Sequence, residues 1–143
     1  MPDPVKGRCL CGAVTFEFEP PALWSVGCHC ESCRRQTGSP MTVFVGVRPD
    51  SWRWTGAEPK INRSSPQVER CFCGACGSPL SFRSMAMTGH MHFHATALED
   101  PEAFPPTRHV AIEEKLSWAH VPAEMETKSG PEVVAGAAGS RGE

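Results

Sequence analysis

Between Ala13 and Glu19 the side chains alternate, with Val14, Phe16 and Phe18 on one side and Thr15, Glu17 and Glu19 on the other. That period of two predicts a half-buried strand, ended by Pro20-Pro21 because proline cannot extend a ladder. Met41–Val47 is the clearest β-forming run, and Arg48-Pro49-Asp50 turns it. Further extended stretches fall at Leu23–Gly27, Ser51–Gly56, Val68–Cys73, Pro79–Arg83, Met91–Leu98 and His109–Ile112. Glu31–Thr37 reads as one helical turn stopped by Gly38. Ala57–Pro66 is polar, carries Pro59 and Pro66, and reads as a surface loop. No amphipathic pattern long enough for three helical turns precedes Ala123. Short strands punctuated by Gly and Pro predict a mainly β fold with a small core.

The chain has 143 residues, the size of one domain. Its organisation reads as a loose lead-in over residues 1–5, a folded domain over 6–121 with Trp118 anchoring its end, and a disordered tail over 122–143. That tail is rich in Gly, Ala, Ser and Glu without periodicity. A formal charge of −2 and a pI near 6.3 argue against a nucleic-acid or membrane-surface binder. The apolar runs are too short to span a bilayer. Met1–Lys6 lacks the basic-then-apolar pattern of a secretory signal, so a cytoplasmic location is expected.

Eight cysteines change this picture. They fall as Cys9 and Cys11, then Cys28, Cys30 and Cys33, then Cys71, Cys73 and Cys76. Such short spacings in a reduced compartment favour metal over disulfides. Cys9 and Cys11, on one side of an extended segment, can join Cys73 and Cys76 in a closed all-thiolate zinc site. The glycines of Cys73-Gly74-Ala75-Cys76-Gly77 allow the tight turn of a zinc knuckle. Cys28, Cys30 and Cys33 remain for a second zinc. Three protein ligands with a fourth corner for water or substrate mark a catalytic zinc, whereas four mark a structural one. Cys71 is either the ligand that closes this second site or, in the reading favoured here, a buried free thiol that behaves as a small hydrophobe.

In Gly7-Arg8-Cys9-Leu10-Cys11-Gly12-Ala13-Val14, Cys28-His29-Cys30-Glu31-Ser32-Cys33-Arg34, Phe72-Cys73-Gly74-Ala75-Cys76-Gly77-Ser78 and Leu98-Glu99-Asp100-Pro101, the chain resembles the glutathione-dependent formaldehyde-activating enzyme family, which includes centromere protein V-like proteins. The resemblance runs from about Lys6 to Val121. It implies a β-tent fold of short antiparallel strands stapled by zinc, with two zinc ions per chain. By motif, Cys9, Cys11, Cys73 and Cys76 would hold the structural ion, and Cys28, Cys30 and Cys33 the catalytic one. It also implies the joining of glutathione to formaldehyde as S-hydroxymethylglutathione, carbon–sulfur lyase chemistry in the reverse sense.

Two functions therefore compete. One is a zinc-dependent carbon–sulfur lyase acting on a glutathione–aldehyde adduct or a related small thiol conjugate. The other is a non-catalytic, zinc-stabilised binding module of the same fold. In the first, Arg34 and Arg35 are placed to offset the thiolate charge, and either can hold a substrate carboxylate. The alternative is two solvated arginines, with Arg34 the better candidate for the site and Arg35 equally suited to either role. His29 either shuttles a proton or packs beside the site. His90, His92 and His94 share one strand face, expected to be the polar outer face of an edge strand rather than a third metal site. Trp52 and Trp54 also share a face, expected in the core.

Overall fold

The computed structural model describes residues 2–87 and 89–133. Its elements are β1 (Val5–Arg8), β2 (Thr15–Phe18), β3 (Trp24–Cys28), α1 (Glu31–Thr37), β4 (Thr42–Val47), β5 (Trp52–Trp54), β6 (Lys60–Ser65), β7 (Val68–Phe72), β8 (Pro79–Ser84), β9 (Met91–His94), β10 (Arg108–Val110) and β11 (Glu126–Lys128). The fold is mainly β, as the alternation predicts. A three-stranded sheet in the order β1-β2-β5 packs against an eight-stranded sheet in the order β11-β10-β3-β4-β9-β8-β7-β6.

The core lies between the sheets and follows from side-chain parity. Val14, Phe16 and Phe18 are buried as their alternation requires. Phe16 stacks on Phe93 of β9, with centroids 4.0 Å apart. Val45 and Val47 of β4 and Leu80 of β8 complete that wall. Each fully buried phenylalanine contributes on the order of 2–3 kcal/mol. Trp52 and Trp54 meet Phe93 edge-on at 5.8 and 5.7 Å, so the indoles are core residues.

The other face of the large sheet is built from the alternate residues of the same strands. Across it, Arg70 pairs with Phe82, Phe82 with His92, and His92 with Gly46. Gly46 in turn pairs with Trp24, and a β-carbon at position 46 would overlap the Trp24 indole. The glycine is what lets that ring lie across the strand. Farther along the sheet, Val26 pairs with both Phe44 and Arg108, and Cys28 with Val110.

Several expectations need correction. Residues 60–65 form β6, an exposed strand that pairs with β7, because a polar segment meets no packing demand at a sheet edge. β9 is not an edge strand: it lies between β4 and β8, and His92 and His94 are buried. It ends at His94, where Ala95–Ala97 turns into a 3-10 helix. Trp118 is 72% exposed and anchors nothing. Cys9 and Cys11 lie in the turn after β1 rather than in an extended segment. The folded region also begins earlier and ends later than expected. β1 starts at Val5, and within the expected tail Glu126–Lys128 adds a parallel strand to β10. The rest of that tail, residues 134–143, lies outside the described residues.

Candidate metal centres and adjoining pocket

Two cysteine groups are brought together, Cys9 with Cys11, Cys73 and Cys76, and Cys28 with Cys30 and Cys33. Within each, all sulfurs lie within 4.8 Å of one another. A tetrahedral zinc with bonds of about 2.3 Å needs sulfurs about 3.8 Å apart. The Cys9–Cys11, Cys11–Cys73 and Cys28–Cys33 pairs stand at 3.6, 3.8 and 3.9 Å, which fits.

Local backbone explains the first group. Gly77 sits at φ 81°, a conformation natural to glycine, and its amide bonds the Cys73 carbonyl at 2.8 Å. This turn aims the amides of Ala75 and Cys76 at the Cys73 sulfur, at 3.3 and 3.4 Å. From the other side, the Val14 amide donates to the Cys9 sulfur at 3.3 Å. Amide donors favour thiolate over thiol. The Ser78 hydroxyl, 3.1 Å from the Cys76 sulfur, and the Ser78 backbone hold that thiol down to about 5. With Cys9 and Cys73 buried in the main core, a metal here would tie the two sheets together.

The second group sits at the start of α1. Cys30 is the N-cap, and its sulfur accepts from the Cys33 amide at 3.3 Å. Gly38, at φ 75°, closes the helix through its amide to the Arg34 carbonyl, as its position predicts. Arg70 is buried on β7, and its Nη1 donates to the Cys33 sulfur at 3.6 Å. Bonds from Cys28 and Cys30, with this guanidinium, hold Cys33 down to about 2. Cys28 is pushed up by its neighbours Cys30 and Cys33, so the thiolate form is favoured at Cys33 over Cys28.

Cys71 belongs to neither group. It pairs in register with Ser81, on the face of β7 opposite Arg70, and burial pushes its thiol up. It therefore does not turn toward the trio, and among the described residues no fourth cysteine joins Cys28, Cys30 and Cys33. The trio opens instead on a cavity of about 530 Å³. Trp24, Val26, Phe44, Phe82 and Val110 form apolar walls; Arg70, His92 and Arg108 add polar groups.

Arg34 is placed differently from its expected role. Its Nη1 donates to the carbonyls of His29 and Glu114, tying α1 to the chain after β10, and it does not line the cavity. Arg35 is an exposed residue paired with Glu31. The guanidinium groups that reach the cavity are Arg70 and Arg108, from strands distant in sequence and invisible to a motif search. His29 is fully buried behind the trio, 2.9 Å from His109 between ring nitrogens, and burial, with His109 next, brings it down to about 4. His92 meets Trp24 edge-on at 4.7 Å, and burial lowers it to about 3, keeping a neutral imidazole in the wall.

With this geometry in place, similarity to known proteins decides the family. Residues 4–114 match the model of the family described as glutathione-dependent formaldehyde-activating enzyme. The chain belongs to that family. It is 28% identical over 126 residues, 82% of this chain and 80% of the other, to a Halomonas elongata protein named "Putative glutathione-dependent formaldehyde-activating enzyme". It is 35% identical over 86 residues, 57% of this chain and 58% of the other, to an uncharacterized lyase of Schizosaccharomyces pombe. A crystal structure of a Rhodobacter sphaeroides protein shares the fold, with a TM-score of 0.56 at 24% identity over 66% of this chain and 87% of that one. Among the described residues, no helix is long and apolar enough to cross a membrane.

Proposed function

We propose that this member of the family is a two-zinc enzyme whose substrate is the adduct of a small thiol, glutathione or a relative, with an aldehyde. Cys9, Cys11, Cys73 and Cys76 hold the structural ion; Cys28, Cys30 and Cys33 hold the ion of the reaction. The observation that carries this reading is the trio of sulfurs opening on a cavity while Cys71, the remaining thiol, faces the other side of the sheet. Bound there, zinc would supply a Lewis-acidic corner that favours the thiolate form of a substrate sulfur at neutral pH.

In the lyase direction the carbon–sulfur bond of a hydroxymethyl thioether breaks. The hydroxyl proton leaves oxygen, the carbonyl forms, and sulfur keeps the bonding electron pair; addition is the reverse. The protein's share is placement and charge. Arg70 offsets the negative charge of the thiolates from within the wall, where low polarity strengthens its effect. Apolar walls from Trp24, Phe44 and Phe82 exclude water that would otherwise hydrate the aldehyde. His92, neutral and beside the cavity, can donate or accept a hydrogen bond at a ring nitrogen without adding charge.

The test is exchange spectroscopy with carbon-13 formaldehyde and glutathione, with and without the zinc-loaded protein. Faster interconversion of free formaldehyde and S-hydroxymethylglutathione supports the enzyme. Tight thiol binding with unchanged exchange would instead make the protein a binding module.

A further inference from the structure

Arg108 is a pocket cation whose Nε finds no hydrogen-bond partner among the described residues. It stands on β10 with Val110 on the cavity face, while His109 between them turns to His29 on the other side. Among the described residues its buried Nε has no hydrogen-bond partner and its guanidinium takes part in no ion pair. The other arginines around the trio are committed. Arg70 donates to Cys33 and Ser64, and Arg34 to two backbone carbonyls. Lys128, which reaches the cavity from β11, stands 4.0 Å from Glu126. Glu132, a carboxylate at the cavity, already accepts from the Ser129 amide.

A buried donor without an acceptor is unfavourable, and the acceptor that fits a guanidinium best is a carboxylate. The sheet register supplies a ruler. Val110 pairs with Cys28 and Arg108 with Val26, so Arg108 stands two strand positions from the trio, about 7 Å along β10. Val26 and Phe44 stand level with Arg108 across the sheet and offer only apolar contact. A ligand with sulfur at the trio and a carboxylate at Arg108 is therefore a few bonds long between its ends. A mercapto acid and the cysteinyl-glycine arm of glutathione both have this reach.

We propose that Arg108 is the carboxylate-recognition residue of this pocket, and that the substrate class is thiols, or their aldehyde adducts, bearing a carboxylate remote from sulfur. This rests on the reading that the cavity receives a thiol. It assigns the anchoring role to a residue outside all the cysteine motifs.

Calorimetry on the zinc-loaded full chain tests it with four probes: glutathione, glutathione diethyl ester, 3-mercaptopropionate and 2-mercaptoethanol. Each acid should bind about tenfold or more tightly than its neutral counterpart, as expected for a charge-assisted hydrogen bond. In Arg108→Gln that ratio should fall to within about twofold, with the neutral thiols binding as before; Arg108→Lys should restore part of it. Unchanged binding of the neutral thiols also reports that the variant is folded. Equal binding of acids and neutral thiols by the unsubstituted protein, or an acid preference that survives in Arg108→Gln, overturns the assignment while leaving the thiol pocket intact. If none of the four probes binds, the thiol-pocket reading itself fails, and this inference with it.

Discussion

Arg70 donates through Nη1 to the sulfur of Cys33 at 3.6 Å while its guanidinium carbon lies 4.9 Å over the Phe82 ring. The cation is thus held by a thiolate on one side and an aromatic face on the other, within a wall that excludes water. Arg70→Met should weaken zinc at the three-cysteine centre by about 10- to 100-fold, the usual cost of losing a partner behind a metal ligand. Arg70→Lys should fall between the two. Chelator competition measures this, and the four-cysteine centre should be unaffected.

The two centres should also separate by their effect on folding. Cys73 is buried in the main core, whereas Cys28, Cys30 and Cys33 border the cavity. Cys73→Ser should cost several kcal/mol, since a structural metal's binding energy is folding energy. Thermal melting should show a collapse of the transition. Cys30→Ser should melt within a few degrees of the unsubstituted protein and bind one zinc instead of two.

Stability should fall in acid through the buried histidines. Burial lowers His94 to about 4 and His92 to about 3, from an unfolded value near 6.5. Folded-state values below the unfolded one mean that the unfolded chain takes up the protons first. The stability these neutral rings contribute is therefore complete above about pH 6.5 and is lost as pH falls toward 4 and then 3. Urea unfolding at several pH values should show this decline. The curve of His94→Gln should be flatter between pH 6.5 and 4; a parallel curve would mean that His94 contributes nothing.

Truncation after Val121 removes β11, which contributes Lys128 to the cavity but no side chain to the buried core. The shortened chain should melt within a few degrees of the full one. It should bind glutathione several-fold more weakly, as titration would show.

The sequence disclosed what is local. Phe16 and Phe18 announced their buried face by alternation, Gly38 announced the end of α1, and the cysteine spacings announced both sulfur groups. What it concealed is set by sheet order. His92 and His94 look like a polar face until β9 is known to lie between β4 and β8. Arg70 and Arg108 look like solvated cations until Phe82 and Val26 are placed beside them. Arg34, next to a cysteine in sequence, reads as an anchor, but the helix that positions Cys33 turns Arg34 back onto backbone carbonyls. Strand β6 leaves no such trace, because its residues are all exposed and carry no apolar alternation.

The cavity wall and the core wall are opposite faces of the same strands, and this sets which sequence changes the fold can absorb. On β7 and β8, Arg70 and Phe82 border the cavity while Cys71 and Ser81 turn away from it. A substitution at Phe82 or His92 can therefore reshape the ligand space with the core untouched. A single-residue insertion or deletion within β7, β8 or β9 cannot, because it exchanges the two faces at once. The register shifts already present fall between Asn62 and Ser65 on the edge strand β6 and between Cys71 and Phe72, just ahead of the Cys73 turn. Pocket variation among relatives of this chain is thus expected as exchanges at fixed length, with length differences confined to the connections between strands.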